Sequence, residues 1–289
     1  MRGYANGNLG RGQVPVETQL TERQQREIEY HRDHAKEHES LLSKPFSWEI
    51  LDRPSKRWWN AYWQMYDFLV RANLKGQKVL VVGCGFGEDA LRLARLGADV
   101  YAFDLSSDSL TLARRLAARE GLSIRFEEMP AESLKYENDS FDCILARDIL
   151  HHVDIPRAAS EIHRVARSES VFVINEVYTH SFLDRIRHSR PIEKRLYPAM
   201  QSFIYGPGKP YITEDERKLN EKDLAEVLKF VSKIDLEKHF YMLVNRIVPD
   251  KIDVLSKLDR FALMCARPLG RLLAARILLV GRIAKGRAA

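Results

Sequence analysis

Gly83, Gly85 and Gly87 alternate in Gly83-Cys84-Gly85-Phe86-Gly87, directly after the apolar run Val79-Leu80-Val81-Val82. A second apolar run, Val100 to Phe103, closes on one acid, Asp104. A strand, a glycine-rich turn, a helix and a second strand ending in a carboxylate form a recognisable unit. The turn lets backbone approach a nucleoside-bearing ligand, and the acid can take both hydroxyls of its ribose. The dinucleotide fingerprint G-x-G-x-x-G would place its third glycine at 88, where Glu88 stands. That carboxylate would face a pyrophosphate with the wrong sign, which argues against a nicotinamide dinucleotide. Further along, Asp148 and His152 bracket a short segment after another apolar run. A carboxylate and an imidazole there could handle a proton.

Three later segments fall in a fixed order behind the turn: Pro130-Ala131-Glu132, then Asn138-Asp139-Ser140-Phe141-Asp142 feeding Cys143 to Arg147, then Asp148-Ile149-Leu150-His151-His152-Val153. With the turn and Asp104, they make Lys78 to about Val177 resemble a class I S-adenosylmethionine-dependent methyltransferase of the small-molecule type. The resemblance implies S-adenosylmethionine as cofactor, which lacks the phosphates that Glu88 would repel. It implies cofactor contacts from Gly83, Cys84, Gly85, Gly87, Asp104 and Leu105, with Ala131 and Glu132 beside the adenine. Arg147 would line the cofactor by its backbone. Two departures are visible: Val81 stands where the family often has an acid, and Arg167-Ser168-Glu169-Ser170 replaces the usual Lys-Pro-Gly-Gly turn.

Asp148 and His152 resemble the Asp and His of phosphoethanolamine-type methyltransferases, where a tyrosine from an N-terminal helix completes the site. On that likeness both are the expected catalytic pair; they share a face if the segment makes a helical turn. Tyr62 or Tyr66 would then contact the acceptor, as would Tyr205 from a later insertion. His31, His34 and His38 also share a helical face, but no cysteine lies near, and a solvated face rather than a metal site is expected.

The elements that must position these groups alternate as in a doubly wound α/β fold. A seven-stranded Rossmann-like sheet with an antiparallel last strand is expected, with strands at Val79–Val82, Val100–Phe103, Ser123–Phe126, Phe141–Ala146 and Val171–Val177. His239–Ile247 and Ala275–Arg282 read as the closing antiparallel pair. Residues 1–18 read as a disordered arm, 19–75 as a helical N-terminal lid, and 76–289 as the methyltransferase domain. That domain carries a cap insertion at about 178–220, rich in proline and tyrosine and without periodicity.

Composition sets the outer bounds. The 289 residues are 45% hydrophobic and 30% charged, ordinary for a soluble globule. The three cysteines give neither a disulfide framework nor metal spacing, and no apolar run reaches the ~18 residues of a membrane span. A cytoplasmic enzyme is the expectation. The net charge is +6, and after Asp259 the chain has no acid while arginines continue. Such a C-terminus could touch a membrane surface or an acidic substrate, and the sequence leaves oligomeric state open. The pattern points to methylation of a small or lipid-like acceptor, first of all at oxygen. A nucleic-acid methyltransferase is the alternative, although Arg147-Asp148-Ile149-Leu150 replaces the Asn/Asp-Pro-Pro-aromatic signature of amino-methylating enzymes and no nucleic acid is expected. A non-catalytic S-adenosylmethionine-binding protein is the second alternative.

Overall fold

The computed structural model describes residues 21–205 and 218–285. Its strands are β1 (Lys78–Val82), β2 (Asp99–Asp104), β3 (Arg125–Glu128), β4 (Phe141–Arg147), β5 (Ala166–Val177), β6 (Val231–Phe240) and β7 (Arg276–Ile283). They form one sheet in the order β3-β2-β1-β4-β5-β7-β6. β1 to β5 pair in parallel, and β7 runs antiparallel to both β5 and β6. Along β1, Val79 and Val81 enter the core on one face of the sheet while Leu80 and Val82 enter it on the other. A strand buried on both faces reads as an unbroken apolar run, which is why this part of the sheet is visible in the sequence.

The helices, in chain order, are α1 (Glu22–Glu37), α2 (Glu49–Asp52), α3 (Ala61–Arg71), α4 (Glu88–Arg95), α5 (Ser107–Arg119), α6 (Ile155–Val165), α7 (Ser181–Arg187), α8 (Tyr197–Tyr205), α9 (Glu221–Leu228), α10 (Asp253–Cys265) and α11 (Gly270–Leu273). α3 starts sharply because the Asn60 side chain accepts from the N–H groups of Tyr62 and Trp63. Trp59 and Trp63 are buried, whereas Trp58 stays 39% exposed. The order of strands reverses between β1 and β4. The crevice beyond their carboxyl ends is where such sheets take ligands.

The structure departs from the sequence expectation at the last strands and in the insertion. β6 is Val231–Phe240, not His239–Ile247, because positive φ at Tyr241 (65°) and Asn245 (59°) ends the extended chain. As an edge strand it buries little: only Phe240 is buried, and Ile234 stays 41% exposed although Lys233 to Glu237 alternates charged and apolar residues. The unpatterned stretch after β5 contains α7, a π-helical turn at Ile192–Leu196, and α8. These helices leave Phe182, Ile186, Leu196 and Phe203 exposed, so no buried stripe marks them in the sequence. The arm expected at 1–18 and the insertion residues 206–217 lie outside the described residues.

Candidate functional site

The glycine turn owes its shape to three left-handed glycines, with φ of 61°, 50° and 81° at Gly83, Gly85 and Gly87. A Cβ at Gly83 would lie 2.4 Å from Ile149 Cγ1, whereas one at Gly85 would meet nothing within 4 Å. The first glycine permits close packing against the segment after β4; the second faces open space. Asp104, at the end of β2, braces the turn. Its Oδ2 accepts from the Gly85 N–H at 2.8 Å and its Oδ1 from the Ser106 N–H at 2.9 Å. Each oxygen keeps a lone pair for a further donor.

Turn and acid open into a cavity of about 460 Å³. Gly83, Cys84, Gly85, Phe86, Asp104, Leu105, Ala131, Glu132, Arg147, Asp148, His151 and His152 line it, along with Gln24 from α1. Gly87 does not line it; it packs behind the turn, where an added Cβ would meet Ala113 Cβ at 2.9 Å. Burial pushes the Cys84 thiol well above its ordinary pKa, so it lines the wall as a small apolar group. Glu132 accepts from the Asp154 N–H at 2.9 Å and from Gln24 Nε2 at 3.2 Å. Arg23 donates to the His151 carbonyl at 2.7 Å. Polar contacts therefore set α1 across one side of the cavity, as its scarcity of apolar residues requires.

The expected pairing of Asp148 with His152 does not form. Asp148 has φ 53° and precedes a single 3₁₀ turn at Leu150–His152, so helical four-residue spacing does not apply. Its carboxylate is gripped instead by Arg276 Nη2 at 2.7 Å and Arg147 Nη1 at 3.1 Å. Burial alone would raise its pKa, but Arg276 and Arg147 outweigh that and hold it below the ordinary value. A carboxylate held ionised in this way is a weak base.

Glu176, near the end of β5, was not singled out in the sequence. It is fully buried. Its Oε1 accepts from the N–H groups of Ile149 and Leu150, both at 2.7 Å, and its Oε2 lies 2.8 Å from His151 Nδ1. One side chain thus fixes both the segment after β4 and the neighbouring imidazole. The His152 ring stacks obliquely on His151 with centroids 4.0 Å apart. The available signal was an acid beside Asn175 in the otherwise apolar run Val171 to Val177, a pair of polar residues that calls for buried partners.

Tyr62 and Tyr66 do not reach the cavity lining, a correction to their expected role. Their hydroxyls donate to buried Asp89 at 3.0 and 2.6 Å, and Arg147 Nε reaches the other oxygen of that carboxylate at 2.6 Å. Burial, reinforced by Asp89, pushes both phenols well above their ordinary pKa. The side chains of Tyr205, His31 and His34 lie outside the described residues. His38 stacks on Phe86 with centroids 5.0 Å apart. Among the described residues no group of three His, Cys, Asp or Glu is placed to hold a metal ion, and no helix is long and apolar enough to cross a membrane.

The site fits a nucleoside carrying no phosphate. It has a carboxylate with spare acceptor capacity at the ribose position, open space over Gly85, and an acid, Glu88, on the lining where a pyrophosphate would need cations. Residues 80–174 match the family model described as "Methyltransferase domain". Around that match, this strand order and the antiparallel β7 give the fold of the class I S-adenosylmethionine-dependent methyltransferases.

The relatives are more particular. The chain is 44% identical over 80 residues to "Ubiquinone biosynthesis O-methyltransferase" of Methylocella silvestris, covering 28% of this chain and 31% of that protein. It is 33% identical over 134 residues to the protein of the same name in Ralstonia nicotianae, covering 40% and 56%. The chain thus spans about a third to a little over half the length of these curated relatives. The magnesium protoporphyrin IX methyltransferase of Synechocystis, crystallised with bound SAH, superposes with a TM-score of 0.53 at 15% identity, covering 90% of this chain and 100% of that one. At that identity the likeness is one of fold.

Proposed function

We propose that the chain transfers the methyl group of S-adenosylmethionine to a small or lipid-like acceptor, first of all to an oxygen. The observation that carries this reading is a single cavity shared by the segments that follow β1, β2, β3 and β4. A relative's name, ubiquinone biosynthesis O-methyltransferase, agrees with an oxygen on a lipid-like ring.

In this reading Asp104 holds the ribose hydroxyls, the turn from Gly83 to Gly85 lies along the amino-acid end, and Ala131 and Glu132 border the adenine. When bound, the cofactor supplies a methyl group made electrophilic by a sulfonium. The chain's own work is to orient the acceptor, exclude water and take a proton. His151 is the better placed of the two histidines for the last task. With Nδ1–H donated to Glu176, the neutral ring carries its lone pair on Nε2. His152 packs against that ring and lines the same wall. Asp148, clasped by two guanidiniums, positions the segment.

The test is calorimetry with S-adenosylhomocysteine, followed by incubation of the full chain with methyl-labelled S-adenosylmethionine and fractionated metabolite and lipid extracts. Binding with label appearing in an alkali-stable, extractable product is expected. Absence of heat would remove the cofactor assignment, and label in nucleic acid would redirect the acceptor.

A further inference from the structure

Apart from Trp58 and Ile234, every large apolar side chain left exposed among the described residues lies between Phe182 and Phe203 or between Leu243 and Leu269. The second group includes a helix with its faces reversed. In α10, Ser256, Asp259 and Arg260 are 4%, 6% and 8% exposed, whereas Val254, Leu258 and Phe261 are 65%, 59% and 60% exposed. Most of the inward polar face is used, although the buried Arg260 Nε has no partner among the described residues. Asp259 accepts from the N–H groups of Met242 and Leu243 at 2.9 and 2.6 Å. Arg260 donates to the His239 carbonyl at 2.9 Å and lies over the Phe240 ring. The chain has thus spent its charges on docking the helix while turning an i, i+4, i+7 apolar stripe outward. Leu255, Met264 and Leu269 widen the stripe.

α10 contacts α11, and α11 contacts α7, so the helices that carry this stripe and the exposed Phe182 and Ile186 are linked through α11. Exposed cations flank both helices. Arg185, Arg190, Lys194 and Arg195 are exposed around α7, against Glu193 and a partly buried Asp184; Lys251, Lys257 and Arg267 surround α10, against Asp250 and Asp253. Four cations farther toward the C-terminus are engaged in ion pairs. Arg271 pairs with Glu237, Arg276 with Asp148, Arg282 with Asp235 and Lys285 with Asp139.

We propose that the α7 and α10 side docks on an anionic lipid bilayer, apolar side chains entering the interface and the cationic rim meeting headgroup phosphates. Helices that lie in a membrane surface combine these two features. Isologous pairing with a second copy would instead bring the same cations face to face. The site is close by. Val177 and Arg276 line the cavity, Tyr178 N–H bonds to the Ala275 carbonyl at 2.9 Å, and α7 begins at Ser181. Resting on the acceptor reading above, the docked face would let a lipid-like acceptor pass from the bilayer to the cavity without crossing water.

Flotation of the full chain with phosphatidylcholine vesicles, with and without phosphatidylglycerol, tests the proposal. Binding should require phosphatidylglycerol and weaken with salt. It should fall roughly tenfold or more in Leu258→Ser/Phe261→Ser, since two large apolar groups leave the interface. Arg190→Glu/Lys194→Glu, which leaves the apolar stripe intact, should abolish the preference for anionic lipid. A wild-type chain that never floats, variants that float as well as wild type, or a dimer that the serine substitutions dissociate would overturn it. Calorimetry with S-adenosylhomocysteine on the same samples identifies misfolded variants and keeps the outcomes separate. Loss of that heat in the wild type would sink the methyltransferase reading and leave docking to be judged by flotation.

Discussion

Glu176 Oε2 lies 2.8 Å from His151 Nδ1, with both side chains buried and the imidazole lining the cavity. The same carboxylate's other oxygen holds two backbone N–H groups of the segment after β4. In Glu176→Gln the amide can still accept from that backbone, but its NH2 would face Nδ1 and favour the opposite tautomer. Turnover should fall about a hundredfold, within the range assigned to general bases, with S-adenosylhomocysteine affinity unchanged. His151→Asn should match it, and His152→Ala should cost less. Steady-state kinetics beside calorimetry checks this; equal loss of cofactor affinity and turnover would mean Glu176 only holds the fold.

Asp104 offers a separate handle on the cofactor. Asp104→Asn removes one charge-assisted acceptor while keeping one oxygen for the backbone, so the dissociation constant for S-adenosylhomocysteine should rise roughly 10- to 100-fold. Saturated turnover should hold. An unchanged dissociation constant would place the ribose elsewhere.

Gly83→Ala should destabilise by about 1–3 kcal/mol, since a Cβ at φ 61° is strained and would collide with Ile149. Ile149→Ala in the same chain should return the steric part and leave the backbone part. Denaturant melts of the two single variants and the double variant measure the coupling; strict additivity would show that the contact is not made.

Asp89 joins α3, α4 and β4 through Tyr62, Tyr66 and Arg147. Asp89→Asn leaves the Arg147 guanidinium short of a partner and should cost about 3 kcal/mol, near the lower bound for breaking a buried pair because Arg147 is partly exposed. Chemical denaturation is the measurement, and a change within 0.5 kcal/mol, the usual surface scatter, would refute it.

Acid should unfold the protein through carboxylates whose pKa the fold lowers, Asp89, Asp148 and Glu237 among them. Burial raises the pKa of Asp89 but Arg147 and Tyr66 outweigh it, Asp148 is lowered in the same way by Arg276 and Arg147, and Glu237 is brought to about 2 by Arg271. Their folded values lie below the unfolded ones, so their stabilisation is complete above the unfolded pKa, about 4, and is lost as pH falls through the folded values. Asp259, raised by burial, opposes this weakly. Thermal midpoints should be level from about pH 6 to 5 and drop between about pH 4.5 and 2, less steeply in Glu237→Gln. A midpoint that rises on acidification would contradict the assignment.

The parallel half of the sheet could be read directly because each strand is local and closed by its own turn, and all but the edge strand β3 are largely buried. The glycine turn and Asp104 were legible for the same reason, since a left-handed backbone and a strand-end acid need no distant partner. The tyrosines of α3 show the opposite case. Helical spacing marks an apolar face, but whether that face meets core or cavity depends on what packs against it, and here buried Asp89 claims both hydroxyls.

What the sequence determined by itself is therefore the local grammar: strands, turns and the order of the motifs along the chain. Tertiary structure alone decided the pairings. It gave Asp148 to Arg276 instead of His152, put Glu176 behind His151, and turned the polar face of α10 inward. A charge's partner is chosen by three-dimensional proximity inside a medium where an unpaired charge is costly, and sequence separation carries no trace of that choice.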